Sequence, residues 1–216
     1  TAPTRKHAYT TAAYSVENGK TLLETPEGPM PIEIFGAHNL NNLAGAKWIC
    51  QHMGVDEDEF YEAISTFKGA SKRLEKITEN NNAVVYKDYA HSPSKVSATT
   101  KAVKNQYPDR KLVACLELHT YSSLNAEFLD QYEGALDAAD KAIVFYSPDA
   151  VQIKQLDEVK AEQINEAFKR DDLVIFTNPA DFKTYLYAQD FKDSVLLLMS
   201  SGNYGGLDFN ELKSVI

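Results

Sequence analysis

Cysteine is scarce in this chain: two residues, Cys50 and Cys115, in 216. Both fall in apolar, periodic stretches, and two isolated thiols make neither a disulfide framework nor a zinc spacing, so they read as buried thiols of a reducing, cytoplasmic protein. None of the five histidines pairs with a cysteine at ligand spacing, and no metal ligand is assigned. No apolar run reaches membrane-spanning length and no signal-peptide pattern opens the chain, so no membrane partner is expected. Basic residues are in the minority: 22 Lys and Arg against 31 Asp and Glu leave a formal charge of −9. No Lys/Arg cluster is dense enough for a nucleic-acid footprint, which sets that class aside. There is no Gly-x4-Gly-Lys-Ser/Thr phosphate loop, no Ser-His-Asp pattern, no internal repeat and no low-complexity segment.

What is present suffices for a sizeable core, with 44% hydrophobic residues, and rules out global disorder. Residues 1–35 alternate β-type runs with turns: a strand over 8–16, a turn at 17–20, a return over 20–25, a second turn over 26–30 and a further run at 31–35. Leu40, Leu43, Ala46, Cys50 and Met53 recur at helical spacing, with Gly54 as a stop. Asp56 and Glu59 form a capping box for a second helix, whose stripe is Phe60, Ile64 and Phe67. Lys68-Gly69-Ala70-Ser71 is small and polar, and marks a boundary between residues 1–70 and 71–216.

Beyond it the pattern becomes an α/β alternation. A hairpin turns at 79–82. Apolar runs at 111–116, 142–146, 173–176 and 195–199 suit strands buried on both faces of a parallel sheet. Helical patterns separate them: one capped by Ser92 with Pro93 at its first position, and others near 126–138, 156–168, 179–188 and 207–215. The expected fold is an open, Rossmann-like, mostly parallel sheet that starts with an antiparallel strand. Ligands of such sheets bind beyond the C-terminal strand ends, which selects the loops 88–92, 117–125, 147–149, 177–179 and 200–206.

Several residues in or near those loops carry chemistry. Asn39 and Asn42 open a helix three residues apart, and their carboxamides match the donor–acceptor edge of adenine; taken alone, they read as a helix cap and a solvated side chain. Arg73 can stack on a base or pair with phosphate, or form a surface salt bridge with Glu75. Asp88, at a strand end, can accept ribose hydroxyls or cap a turn. Tyr89 and His91 follow it, and an imidazole there can meet a carboxylate or phosphate. His119 and Ser123 lie in the Leu116–Ser123 loop. Gly202 and Asn203 lie in Ser200-Ser201-Gly202-Asn203-Tyr204-Gly205-Gly206, either a tight turn or a backbone cradle for phosphate.

In order, His38-Asn39-Leu40-Asn41-Asn42, Lys72-Arg73-Leu74-Glu75 and Asp88-Tyr89-Ala90-His91-Ser92-Pro93 resemble the HNxxN, (R/K)RLE and DDYAHxP motifs of the ATP-dependent Mur ligases. The resemblance runs from about Phe35 to the end. It implies that residues 1–70 are the tail of a central ATP-binding domain and 71–216 a C-terminal domain. It also implies that Asn39, Asn42, Arg73 and Asp88 bind the nucleotide, and that Tyr89, His91, His119, Ser123, Gly202 and Asn203 face the acceptor substrate.

Three positions depart from the family pattern. Lys87 replaces a commonly found Asp. Leu116–Ser123 resembles (Q/E)PHxxSR but has Leu118 for proline and Ser123 for an arginine that the alanine-adding member uses to hold its substrate. Serine cannot give arginine's bidentate grip on a carboxylate. The 200–206 loop resembles MSNGxFGG of the recycling member. The implied activity is therefore attachment of L-alanyl-γ-D-glutamyl-meso-diaminopimelate to UDP-N-acetylmuramate through an acyl phosphate, using ATP and Mg2+. Attachment of L-alanine is the alternative, and a non-catalytic dinucleotide-binding module an alternative of another class. The chain starts at Thr1 inside a stretch that reads as structured and lacks a phosphate loop, so it is expected to be a C-terminal piece that is inactive alone.

Overall fold

The computed structural model describes residues 6–80, 82–157 and 159–215. The chain divides between Gly69 and Ala70 into two compact units.

The first unit is a three-stranded antiparallel meander carrying two helices. Strands β1 (Tyr14–Glu17), β2 (Lys20–Thr25) and β3 (Gly28–Ile32) pair in the order β1-β2-β3. Asn18 and Gly19, with φ of 51° and 75°, make the positive-φ turn that suits the strand twist. The first strand is shorter than the expected 8–16. Tyr14 already pairs with Leu23, near the end of β2, and past it only the Glu24 N–H to Ala13 carbonyl bond extends the ladder. The second turn is also tighter than expected, leaving Pro29 and Pro31 inside β3. They are tolerated because β3 is an edge strand, where a missing N–H costs no ladder bond.

Helix α1 (Ala37–His52) starts at Gly36, whose φ of 87° favours glycine, and stops before Gly54 at φ 95°. Helix α2 (Glu57–Ser65) carries the expected capping box: Asp56 accepts from the Glu59 N–H at 2.8 Å, and Glu59 accepts from the Asp56 N–H. Leu23, Ile32, Leu40, Leu43 and Phe60 form the core. The apolar stripe of α1 is shorter than its spacing suggested: Met53 is 79% exposed. Phe67, past the end of α2, is exposed as well.

The second unit is the α/β layer structure. Its elements are β4 (Glu75–Glu79), β5 (Ala83–Asp88), α3 (Pro93–Gln106), β6 (Lys111–Leu118), α4 (Ala126–Leu129), a 3-10 turn (Asp130–Tyr132), β7 (Lys141–Tyr146), α5 (Pro148–Ile153), α6 (Ala161–Phe168), β8 (Val174–Phe176), α7 (Pro179–Tyr187), β9 (Ser194–Met199) and α8 (Phe209–Val215). The strand order is β4-β5-β9-β6-β7-β8, with β4 antiparallel to β5 and the other pairs parallel. The fold class read from the sequence is the one observed.

Central strands β6 and β9 are buried on both faces, Lys111 apart, which is why their sequences run apolar without alternation. The long helix expected over 126–138 is instead one helical turn, a 3-10 turn and further turns. Gly134, at φ 69°, takes a conformation that no α-helix contains. Helix α5 falls where a loop was expected at 147–149: Ser147 caps it, accepting from the Ala150 N–H, and Pro148 sits in its first turn. That is the capping pattern already recognised at Ser92-Pro93. Among the described residues no helix is long and apolar enough to cross a membrane.

On one side of the sheet Phe182 of α7 stacks on Tyr204, with centroids 5.2 Å apart and planes 16° apart, and also packs on Phe145 at 5.5 Å. All three are buried within one core cluster. Phe182→Ala should remove about 3–5 kcal/mol of unfolding free energy, read as a shifted urea midpoint at unchanged slope. A loss below about 1 kcal/mol, the range of ordinary surface changes, would show that this cluster does not hold α7 and the 200–206 loop to the sheet.

Candidate functional site

Because β9 is inserted between β5 and β6, the loops that follow β5, β9 and β6 emerge side by side at the C-terminal edge. These loops hold all but one of the candidate residues of the second unit. Arg73 comes to the same edge from the segment before β4.

The β5 end is organised by Asp88. Its side chain is 4% exposed. Oδ2 accepts the Leu74 N–H and Oδ1 the Ala90 N–H, each at 2.7 Å. The Tyr89 N–H donates to the Lys72 carbonyl at 2.8 Å, and the Ser200 N–H to the Asp88 carbonyl at 2.9 Å. Asp88 thus ties Leu74, held at a positive φ of 46°, to the strand end, and fixes Arg73 between two anchored neighbours. Ribose hydroxyls, the expected partners of this carboxylate, meet a group whose two oxygens already hold main-chain donors.

Above this tie lies an exposed cation–aromatic array. The Arg73 guanidinium sits 5.5 Å from the Tyr89 ring centroid, and Tyr89 meets His91 edge-on at 5.2 Å. His91 Nδ1 is 2.9 Å from the Tyr89 carbonyl. The buried phenol of Tyr132 donates to the His91 carbonyl; burial pushes the Tyr132 pKa up, and the Ser123 hydroxyl beside it acts in the opposite sense. Lys87 lies 4.0 Å over the Phe209 ring. Desolvation and the nearby Lys72 lower its pKa, against the pull of Glu75.

At the end of β6, Ser123 is turned inward, 1% exposed. Its hydroxyl accepts the Thr120 N–H at 2.9 Å and donates to the Thr120 carbonyl at 3.1 Å, while its own N–H meets the Thr120 hydroxyl at 3.2 Å. These bonds close a local turn, so the Ser123 hydroxyl, expected to face the acceptor, is turned inward instead. His119 is 41% exposed on the same loop.

Sequence reasoning missed Glu117. It is 3% exposed and binds the 200–206 loop from beneath: the Ser200 hydroxyl donates to Oε2, and the Tyr204 N–H donates to the same oxygen at 2.9 Å. The Gly202 N–H donates to the Ser200 hydroxyl at 2.7 Å. The Tyr204 phenol lies 2.8 Å and 2.9 Å from the Cys115 and Met199 carbonyls. Burial holds its pKa well above the usual phenol range, with further upward pushes from Cys115 and Glu117. The available signal was a charged residue inside the otherwise apolar run Leu112–Leu118. Asn203 is exposed at the top of the loop.

Asn39 and Asn42 belong to the first unit. Gly36, not Asn39, is the N-cap of α1. Asn39 is half-buried and donates its amide to the Phe35 carbonyl at 3.0 Å, which orients the side chain. Asn42 is exposed one turn on. Among the described residues no group of three or more His, Cys, Asp or Glu side chains is placed to hold a metal ion.

Residues 72–202 match the family described as Mur ligase, glutamate ligase domain. A UDP-N-acetylmuramate–L-alanine ligase of Lactobacillus delbrueckii subsp. bulgaricus is 30% identical over 187 residues, covering 86% of this chain and 39% of that protein. One of Sulfurihydrogenibium is 34% identical over 160 residues, covering 71% and 35%. Among solved structures, a UDP-N-acetylmuramate–alanine ligase from Thermotoga maritima superposes with a TM-score of 0.67 at 16% identity, covering 94% of this chain and 43% of its own. A murein peptide ligase from Psychrobacter arcticus gives 0.60 at 20%, covering 91% and 41%. At these identities the superpositions establish the fold. The chain spans about two fifths of the length of the curated relatives it matches. The match over residues 72–202, together with these relatives, establishes that the chain belongs to the Mur ligase family.

Proposed function

We propose that this chain works within a longer ATP-dependent ligase that joins an amine-bearing acceptor to UDP-N-acetylmuramate in the cytoplasm. In this reading residues 1–70 are the end of the central ATP-binding domain, and residues 71–216 are the C-terminal domain that meets nucleotide and acceptor. The acceptor we favour is the tripeptide L-alanyl-γ-D-glutamyl-meso-diaminopimelate. The observation that carries this choice is Ser123. In the alanine-adding pattern an arginine at this position grips the substrate carboxylate; here a buried hydroxyl is consumed by Thr120. L-Alanine is the second reading, supported by the relatives, which are UDP-N-acetylmuramate–L-alanine ligases.

The residues fit an adenine nucleotide in parts. Asn39 and Asn42 offer carboxamides for the base edge, and Arg73 over Tyr89 offers a planar cation for base or phosphate. Asp88 serves this site first by fixing Arg73. Bound ATP would supply the phosphoryl group that activates the muramate carboxylate, and Mg2+ would neutralise charge on its phosphates. No cluster of ligating side chains among the described residues holds that ion, so its ligands are assigned to other parts of the enzyme.

The deciding experiment follows ADP release by the complete reading frame that encodes this chain, given UDP-N-acetylmuramate, magnesium-ATP, and either tripeptide or L-alanine. Preference for the tripeptide is expected; preference for alanine would retain the family and reverse the acceptor. No turnover with either would remove the ligase reading. The 216-residue chain alone, which has no Gly-x4-Gly-Lys-Ser/Thr loop, should release no ADP above background, and measurable turnover would contradict the assignment of the phosphate machinery to other segments.

Variants separate contact from support. Arg73→Ala should raise the KM for ATP roughly tenfold or more, since a charge-assisted contact contributes about 1.5–3 kcal/mol, and leave the melting temperature within error. Asp88→Asn turns one acceptor into a donor facing a main-chain N–H. It should cost about 1–3 kcal/mol of stability and weaken ATP through Arg73. An Asp88→Asn protein with normal stability would refute the tie.

A further inference from the structure

We propose that Tyr132 is a positioning residue of this site: its phenol holds the His91 carbonyl and so sets the direction of the His91 imidazole. The proposal rests on the ligase reading above, in which His91 faces the acceptor, and adds to it a residue from outside the loops that form the edge.

Tyr132 belongs to the 3-10 turn Asp130–Tyr132 and is fully buried. Its ring is fixed on two sides. Phe168 of α6 stacks on it, with centroids 5.1 Å and planes 13° apart, and Phe128 of α4 meets it edge-on at 6.2 Å. A phenylalanine would fill the same aromatic slot without burying a hydroxyl, and a buried hydroxyl costs free energy unless it is paired. The pairing is with the main-chain carbonyl of His91, to which the phenol donates. The Ser123 hydroxyl stands beside the same phenol. One buried oxygen therefore joins the loop after β6, the 130–132 turn and the loop after β5.

The carbonyl it holds is not one that the helix uses. Ser92 is the N-cap of α3, and its carbonyl accepts the Val96 N–H. The His91 carbonyl lies one residue outside the helix, where main-chain groups depend on other partners. Nearer the strand, Asp88 Oδ1 accepts the Ala90 N–H, and Ala90 is itself buried. The loop is thus tethered twice, at Ala90 from the sheet and at His91 from Tyr132. With both tethers made, the His91 ring lies edge-on to Tyr89, and its Nδ1 is 2.9 Å from the Tyr89 carbonyl. Loss of the second tether frees the peptide between His91 and Ser92 to rotate, and the ring direction changes with it. Groups that meet a ligand need supporting bonds of this kind to hold their geometry.

The test uses the complete enzyme and steady-state kinetics with each of its three substrates, at a temperature where every variant is folded. Tyr132→Phe keeps the ring between Phe128 and Phe168 and removes the donor. It should lower kcat/KM for the acceptor roughly tenfold or more, the scale of a misplaced group, with the KM values for ATP and UDP-N-acetylmuramate unchanged. His91→Ala should lower it too, and Tyr132→Phe added to His91→Ala should cost little more, because residues that act as one unit are not additive. 4-Aminophenylalanine at position 132, which donates an N–H from the same place, should restore most of the loss.

A merely structural phenol would lower the melting temperature and leave the acceptor kinetics of the folded enzyme alone. That result, an equal fall for all three substrates, or full additivity with His91→Ala would overturn the proposal. Should Tyr132→Phe not fold, Phe168→Leu decides in its place. It keeps the hydroxyl, loosens the ring that aims it, and should give the same acceptor-selective loss; an unchanged acceptor kcat/KM there overturns the proposal. An unaltered enzyme inactive with tripeptide and L-alanine alike would overturn the ligase reading and this proposal with it. An active enzyme indifferent to these variants overturns the proposal alone.

Discussion

The placement of β9 between β5 and β6 is the constraint on which the second unit's surface depends. A strand added last in sequence but centrally in space must be apolar on both faces, and Val195–Met199 meets that requirement. The same placement sets the 200–206 loop between the Asp88–Ser92 and His119–Ser123 loops, so three sequence-distant segments share one edge. No connection between neighbouring strands could achieve this. The β8–α7–β9 return is what gathers a row of strand ends into one candidate site, at the C-terminal edge where open parallel sheets bind ligands.

Two buried carboxylates hold that edge, and they hold it differently. Asp88 spends both oxygens on main-chain N–H groups, closing the β5 end against the segment that carries Arg73. Glu117 gives Oε2 to the loop above it, and its Oε1 lies 3.7 Å from His119 Nδ1. Burying a charge is tolerable only when donors replace water. Asp88 ties two segments through main-chain N–H groups, and Glu117 ties the 200–206 loop to β6.

The strands of the second unit were legible because burial on both faces leaves a plain record, a run of aliphatic residues bounded by turns. The helices were legible where caps were explicit, as at Asp56 and Ser92-Pro93. They were misjudged where apolar spacing continued past a turn, as at Met53, or where Gly134 broke a pattern that otherwise looked helical. Candidate residues with exposed side chains, such as Arg73, Tyr89 and His119, lie where their loops suggested. Direction was not legible: nothing in the string Thr120–Ser123 says that the serine hydroxyl turns inward, and nothing in Leu116-Glu117-Leu118 distinguishes a buried acid from a solvated one. The first arises from a turn closed on Thr120, the second from pairing across the sheet, between residues some eighty positions apart.

Lys87 shows how such pairing changes the meaning of a substitution. Where the family motif commonly has an acid, this chain has a lysine packed over Phe209 of α8 and paired across the hairpin with Glu75. Its pKa is lowered by desolvation and by Lys72, so the position is already crowded with positive charge. With Lys72, Arg73 and Lys87 near the end of β5 and Asp88 buried beneath them, the β5 side presents net positive charge on a chain that is acidic as a whole. Fields of this kind favour an anionic ligand locally even when net charge opposes it. The substitution therefore adds a cation beside the proposed nucleotide position rather than removing a ligand from it. The acidic Glu117 lies two strands away on β6, so the edge is polarised, with its cations gathered at the β5 side.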